Sequence, residues 1–181
     1  MTPTEALKHE HEVILMVLDA AQREVRAMGT AGRADGGRVG KLVEFFRNFV
    51  DRCHHAKEER QLFARMQQRG VAAEGGPISV MLLEHDDGRR RVASIAEAIP
   101  AAARGETSAV AAVRQNLLAY VELLRRHIEK ENNVLYPIAD RILTAEDQQE
   151  LAEGFERIEA QEIGEGVHEK YHRLAHELSH I

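Results

Sequence analysis

The sequence predicts an all-α protein, an antiparallel up-down-up-down four-helix bundle with additional short C-terminal helices. Apolar residues recur every three or four positions along four long stretches, and none of these stretches shows the alternation typical of a β-strand. Segments rich in glycine and alanine, residues 29–40, 70–77 and 100–107, separate the stretches. Connections this short favour antiparallel neighbours. The 181 residues suffice for one domain with a buried core.

The first two helices are predicted over residues 4–28 and 39–69. Thr2 and Glu5 have capping-box spacing, which marks the start of a helix. The predicted inner face of the first helix is Leu7, His11, Ile14, Leu18, Ala21, Val25 and Met28. That of the second is Val43, Phe46, Val50, His54, Glu58 and Leu62.

The next two helices are predicted over residues 78–99 and 108–137. The third presents Ile78, Leu82, His85, Val92, Ile95 and Ile99 on its inner face. The fourth presents Val110, Val113, Leu117, Tyr120, Leu124, His127, Glu131 and Val134. Each of the four faces therefore contains a histidine, and two also contain a glutamate.

Residues 1–140 are expected to form the bundle, and residues 141–181 a helical appendage packed on it. Thr144 and Asp147 are placed to cap a fifth helix that ends near residue 160. A sixth helix is predicted over residues 166–180.

Charge and composition exclude several classes of protein. A net charge of −6 argues against nucleic-acid binding, because neutralising phosphates requires a basic surface. No apolar run approaches the roughly 20 residues that cross a bilayer, so no membrane partner is expected. The N-terminus lacks the pattern of a secretory signal, and we expect a cytoplasmic protein. The single cysteine, Cys53, excludes an intramolecular disulfide and favours plain packing.

Two segments repeat one local pattern. After His54, and again after His127, a lysine follows at the third position, a glutamate at the fourth, a leucine at the eighth and an aromatic residue at the ninth. Residues four apart on a helix share a face, so each His–Glu pair can reach one metal ion. A buried carboxylate without a partner is costly, which favours a bound cation over an ordinary core.

His11 and His85 complete the candidate set, and each follows a glutamate. Four helices then contribute four histidines and two carboxylates, and such inward-facing sets form dinuclear centres in helix bundles. Nitrogen and oxygen donors without a thiolate suit iron, manganese or zinc, and the residue types alone do not select among them.

The order of these residues resembles the hemerythrin-like HHE cation-binding family over roughly residues 4–140. The strings EHEVIL, HHAKEERQLF and HIEKENNVLYP carry the resemblance. It implies two non-haem iron ions with an oxo or hydroxo bridge, bridged also by Glu58 and Glu131, with manganese or zinc as possible substitutes. His11 and His54 would serve mainly one ion, and His85 and His127 the other.

The sequence departs from the oxygen-carrying members of this family at Arg89, where they have a further histidine ligand. His55 is the candidate replacement, and a helix-surface histidine is the alternative. His168, His172 and His176 share one face of the last predicted helix. An extra ligand from His168 or His172 is a further alternative, and a histidine-rich surface helix is the simpler interpretation.

The resemblance implies small-molecule partners, namely O₂, NO or H₂O₂. The first hypothesis is a protein that binds or senses O₂ or NO. The second is an oxidative-defence enzyme that decomposes peroxide, and the third is an iron donor for iron–sulfur repair. Cys53 is the only thiol, which counts against the third. The sequence leaves enzymatic activity, the redox partner and the oligomeric state open.

Overall fold

The computed structural model of the chain describes residues 1–164 and 166–180, and every regular element in them is helical. We number six helices: α1 is Pro3–Ala31, α2 spans 36–68, α3 is Pro77–Ala103, α4 spans 107–142, α5 spans 145–163 and α6 is Val167–Ser179. The prediction of an all-α protein is confirmed. Helix α4 packs against α3 and α1, α3 packs against α2, and α6 packs against α1. The up-down-up-down order of the bundle stays a prediction.

Three of these helices contain wide π turns, in which the backbone hydrogen bonds join residues five apart. Helix α2 includes two such segments, Phe46–His55 and Glu58–Leu62. Helices α4 and α5 include one each, Glu131–Leu135 and Glu159–Ile163. Wide turns of this kind occur often at functional sites, because they change the direction in which successive side chains point.

The wide turn in α4 corrects one sequence-based prediction. Val134 was expected on the inner face, but its side chain is 51% exposed. Leu135 and Tyr136 are buried in its place. A period of 3.6 residues fails here because the turn that begins at Glu131 holds more residues than an α-helical turn.

Two helices begin with a capping box, and one helix continues past a proline. The capping boxes at Thr2 and Thr144 are both present. Helix α3 runs through Pro100 to Ala103, whereas the sequence predicted an end near residue 99. Proline lacks the N–H that would donate to the carbonyl four residues earlier, and the helix ends three residues after Pro100.

A polar layer divides the core into two apolar clusters. The larger cluster includes Ile14, Val50, Val92 and Leu124. The smaller one includes Leu7, Leu62, Met81 and Leu135. In each of the four long helices the candidate ligands lie between a residue of one cluster and a residue of the other. The apolar clusters therefore cover the polar layer from both ends.

The C-terminal helices share in both apolar clusters. Leu151 and Phe155 of α5 belong to the smaller cluster, and Tyr171, Leu174 and Leu178 of α6 belong to the larger. Asp147 fixes the start of α5 to α2, because its carboxylate accepts hydrogen bonds from Arg65 and Arg69. The division of the chain at residue 140 stays a prediction.

Across the described ranges, no helix is both long enough and apolar enough to span a bilayer.

Candidate metal centre

The structure brings all seven candidate side chains into the polar layer, and each is at most 4% exposed. They are His11, His54, His55, Glu58, His85, His127 and Glu131. The wide turns of α2 place His54, His55 and Glu58, and Glu131 begins the wide turn of α4.

One set of possible ligands consists of His11, His54, Glu58 and Glu131, with their donor atoms within 4.8 Å of one another. The Nε2 atoms of His11 and His54 are 3.0 Å apart. Nε2 of His11 lies 3.2 Å from Oε2 of Glu131, and Nε2 of His54 lies 3.7 Å from Oε1 of Glu58. We call this set the His11/His54 subsite.

A second set, the His85/His127 subsite, lies beside the first. Its members are His55, Glu58, His85 and His127. The Nε2 atoms of His85 and His127 are also 3.0 Å apart. Nε2 of His85 lies 3.4 Å from Oε2 of Glu58, and Nε2 of His127 lies 3.1 Å from Oε1 of Glu131.

The two glutamates are shared between the subsites. Glu58 directs Oε1 towards His54 and Oε2 towards His85. Glu131 directs Oε2 towards His11 and Oε1 towards His127. Each carboxylate thus turns one oxygen to each subsite, which is the orientation that a carboxylate bridging two cations requires.

This donor set fits a pair of cations. Oε2 of Glu58 and both carboxylate oxygens of Glu131 are buried without a hydrogen-bond partner among the described residues. Leaving a buried ionised group unpaired is costly, so such atoms call for a positive charge nearby. Imidazole nitrogens and carboxylate oxygens are ligands that iron and manganese accept.

The pKa values of the histidines respond to the same excess of negative charge. Burial alone would lower the pKa of His127, but the nearby carboxylates of Glu131, Glu84 and Glu58 together outweigh burial and raise it to about 10. The pKa values of His11 and His85 are likewise raised against burial, chiefly by the nearby carboxylates of Glu131 and Glu58 respectively. Protons on imidazoles thus compensate the carboxylates wherever metal cations do not.

His55 differs from the other histidines. Burial, reinforced by the neighbouring His85, holds its pKa well below the usual range, so its ring is neutral as a metal ligand must be. Its Nδ1 has no hydrogen-bond partner among the described residues. The ring stacks on His85 with centroids 3.7 Å apart and planes 16° apart. Since an imidazole lone pair lies in the ring plane, both rings can ligate one ion only if His55 turns out of this stack.

In each of the four histidines other than His55, Nδ1 contacts a polar side chain while Nε2 faces a subsite. Glu10 contacts His54 at 2.8 Å, and Glu84 contacts His127 at 2.8 Å. Burial opposes ionisation of Glu10, yet hydrogen bonds from His168 and His54 hold its pKa well below the usual range. Nδ1 of His54 is therefore the donor, which leaves Nε2 free for a metal.

The remaining two contacts follow the same repeat. Nδ1 of His11 lies 2.9 Å from Oδ1 of Asn132, and Nδ1 of His85 lies 2.7 Å from Oε1 of Glu59. Asn132 follows Glu131, and Glu59 follows Glu58. Partners of this kind fix the ring orientation and raise the basicity of the ligand.

Sequence reasoning gave no role to these outer residues, although the sequence carries a signal for them. Glu10 and Glu84 precede the histidines of α1 and α3, and each contacts the histidine of the next helix. The lysines at the third position of the repeat, Lys57 and Lys130, bind the second oxygen of these two glutamates. The lysines repeated at one spacing therefore mark, in the sequence, the outer shell, by which we mean the residues that contact and orient the candidate ligands.

Arg89 serves this outer shell as well. Its guanidinium contacts Glu59 at 2.7 Å and Asp51 at 2.8 Å. The residue at the position of a missing histidine therefore holds the carboxylate that orients His85.

The C-terminal histidines lie outside both subsites. Nε2 of His168 is 3.4 Å from Oε1 of Glu10, and the rings of His168 and His172 are 4.6 Å apart. Glu10, Glu159 and His168 form a further cluster with the spacing of metal ligands. The ammonium of Lys57 contacts both carboxylates of that cluster and already serves as its cation.

A cavity of about 270 Å³ opens beside the His85/His127 subsite. Its walls include His55, His85, Gly88, Arg89 and Tyr120. Gly88 lies close to Tyr120 in this wall, and a Cβ atom there would lie 3.3 Å from the ring of Tyr120. The cavity is large enough for a diatomic molecule or peroxide to approach the ligands.

Cys53 is buried beside these ligands, as packing predicted. Burial and then the charge of Glu10 raise the pKa of its thiol to about 12. The thiol is therefore protonated and unreactive at neutral pH.

The sequence of the chain is similar to those of several known proteins. A protein of Mycobacterium tuberculosis (strain ATCC 25618 / H37Rv), described as uncharacterised, is 25% identical over 165 residues, which are 91% of this chain and 64% of the relative. The iron-sulfur cluster repair protein YtfE of Pectobacterium carotovorum subsp. carotovorum (strain PC1) is 37% identical over 92 residues, 49% of this chain and 41% of that protein. YtfE of Dickeya chrysanthemi (strain Ech1591) is 34% identical over 90 residues.

The chain thus spans less than two thirds of the length of these relatives. No solved structure shows significant similarity to it. Residues 2–139 match the family model for the hemerythrin HHE cation binding domain. This match covers most of the chain, including every residue of the two subsites. The chain belongs to the hemerythrin HHE cation-binding family.

Proposed function

We propose that the chain holds two iron ions in its polar layer and binds or senses O₂ or NO there. The observation that carries this proposal is the orientation of Glu58 and Glu131, each of which turns one oxygen to each subsite. In this proposal the two glutamates bridge the ions. His11 and His54 ligate one ion, and His85 and His127 ligate the other, with His55 available to the second.

A pair of adjacent non-haem irons supplies the two electrons with which O₂ can be held in reduced form. The chain supplies the surroundings. Glu10, Glu84, Glu59 and Asn132 orient the imidazoles. The apolar clusters on both sides of the layer limit access by water, which tunes redox potential. The cavity beside His85 gives a small molecule a route to the centre.

The experiment is to load metal-free protein with ferrous iron without oxygen and then add O₂ or NO. A stable adduct in the absorption spectrum, removed on evacuation, supports reversible binding. Glu129→Gln, at an exposed position two residues before Glu131, is the matched control and should behave as the wild type. Steady O₂ release from added H₂O₂, faster than with free iron, would instead assign a peroxide-decomposing activity. Neither an adduct nor turnover would reject both functions.

A second candidate function is iron donation for iron–sulfur repair. It is favoured by the 37% identity to YtfE, although the shared region covers only 41% of that protein. Incubation of the iron-loaded protein with a damaged iron–sulfur enzyme separates the candidates. Recovery of enzyme activity with loss of iron from the chain supports donation, and iron retained without recovery argues against it.

A further inference from the structure

The C-terminal segment reaches the metal centre through one buried lysine. Nζ of Lys57 lies 2.5 Å from Oε1 of Glu10 and 2.5 Å from Oε1 of Glu159 in α5. Lys57 is only 2% exposed. Burial opposes its positive charge, and the carboxylates of Glu10 and Glu159 compensate that charge. A lysine is almost never buried unless it is paired, and here two carboxylates pair with it.

The equivalent lysine in the other half of the repeat has a different environment. Lys130 contacts Glu84, but its side chain is 41% exposed. Among the described residues it has no second carboxylate comparable to Glu159. The lysines next to the two subsites therefore differ in burial and in the number of carboxylates that they contact.

This difference acts on one subsite. The second oxygen of Glu10 accepts the hydrogen bond from Nδ1 of His54, so the negative charge on Glu10 strengthens His54 as a ligand. The ammonium of Lys57 partly neutralises the charge of Glu10, and the carboxylate of Glu159 partly neutralises the ammonium. Without the charge of Glu159, the ammonium would be compensated by Glu10 alone, and His54 would lose part of its basicity.

We infer that Glu159 is a positioning residue that strengthens metal binding at the His11/His54 subsite through Lys57 and Glu10. The inference rests on the proposed function, since it presumes that the two subsites take metal ions. Glu159 lies beyond residue 139, where the match to the family model ends, so the domain shared by the family does not include this contact. The C-terminal segment thus makes the two ions unequal.

The test compares Glu159→Gln with Glu162→Gln. Both glutamates lie in the segment Glu159–Ile163, and both pair with a basic residue of α2. Glu162 pairs with Arg60, which is 59% exposed and has no contact with the ligands or with Glu10, so Glu162→Gln is the matched control. Metal-free protein is titrated with Co²⁺ in a calorimeter, and the two binding events are fitted separately.

Glu159→Gln is expected to weaken one of the two events about three- to tenfold and to leave the other unchanged, a smaller effect than removal of a direct partner of a ligand. With iron, the same variant should shift the reduction potential of one ion to a more positive value, because a nearby negative charge is lost. Glu162→Gln should change neither quantity.

Two results would overturn the inference. If both variants change both events alike, the segment acts only through general stability. If wild-type protein binds two ions and Glu159→Gln leaves both affinities unchanged, Glu159 has no influence on the centre, while the proposed function stands. Wild-type protein that takes up no pair of ions would overturn both proposals.

Discussion

The hydroxyl of Tyr136 donates a hydrogen bond of 2.5 Å to Oε1 of Glu58, the residue expected to bridge the two ions. Burial, and then the charge of Glu131, raise the pKa of Tyr136 well above its usual range, so the hydroxyl stays protonated and remains a donor. The ring stacks on His11 at 5.5 Å between centroids. Phe63 holds the equivalent position in the other half of the repeat and lacks a hydroxyl.

Tyr136→Phe should therefore fold, but with lower stability in the absence of metal. The variant leaves an oxygen of Glu58 without its donor, which we expect to cost about 1–3 kcal/mol. Bound metal would satisfy the same oxygen, so the loss should shrink in metal-loaded protein. Chemical denaturation with and without metal measures both values. An equal loss in the two forms would mean that the carboxylate does not contact the metal.

Glu131→Gln should lower the affinity for both ions together, since both oxygens of Glu131 face a subsite. The amide is close in shape but lacks the charge, so at least a tenfold loss in each binding event is expected, in line with changes near metal ligands. His54→Ala is the informative contrast, because its Nε2 faces only the His11/His54 subsite. Calorimetric titration reports each event, and loss of a single event in Glu131→Gln would exclude a bridging role.

The sequence was sufficient to predict the helices and the members of the candidate site, because helical periodicity and the repeated His–Glu spacing are local features. Two features depended on non-local structure. The wide turn that exposes Val134 has no distinct composition, so its shift of register could not be read from a 3.6-residue period. The ion pair between Lys57 and Glu159 joins residues 102 positions apart, and only the packing of α5 on α2 brings them together.

The residues of the outer shell were only partly predictable from the sequence. The glutamates before His11 and His85 were visible in the sequence, but their partners lie on the next helix. Helical phase alone does not show that Glu10 contacts His54 and not His11. A resemblance to a family indicates candidate ligands, whereas the contacts that orient them require the packed structure.

Gly88→Ala should restrict access to the centre without removing metal. The added Cβ would lie 3.3 Å from Cε2 of Tyr120, so the ring must shift by a few tenths of an ångström, and both residues line the cavity. Stopped-flow mixing of reduced iron-loaded protein with NO should show slower binding and an unchanged iron content. Gly40→Ala is the control, since nothing lies within 4 Å of its added Cβ and alanine in a helix adds up to about 1 kcal/mol of stability. Equal binding rates in the two variants would argue against this route.

Metal-free protein should lose stability as the pH rises from about 6.5, the ordinary pKa of histidine, towards 10. His127 has a pKa raised to about 10 by the nearby carboxylates of Glu131, Glu84 and Glu58, against the effect of burial. A group whose pKa is raised on folding stabilises fully below its unfolded pKa, and this contribution is lost as the pH passes the folded value. Denaturation at a series of pH values tests this.

The metal-bound form should respond in the opposite direction. Because imidazoles must lose their protons to bind a metal, apparent affinity should increase over the same pH range, with protons released on binding. His9→Gln, at an exposed position on α1, should keep both trends. A metal affinity that stays constant with pH would contradict a site built on protonated histidines.

The metal content of protein purified without added metal is the most direct test of the central claim. Elemental analysis of the wild type, with Glu131→Gln beside it, should give two irons per wild-type chain and a clear deficit in the variant. X-ray absorption should then find a second iron within about 4 Å of the first. One zinc per chain, or a single iron with no metal neighbour, would contradict the account.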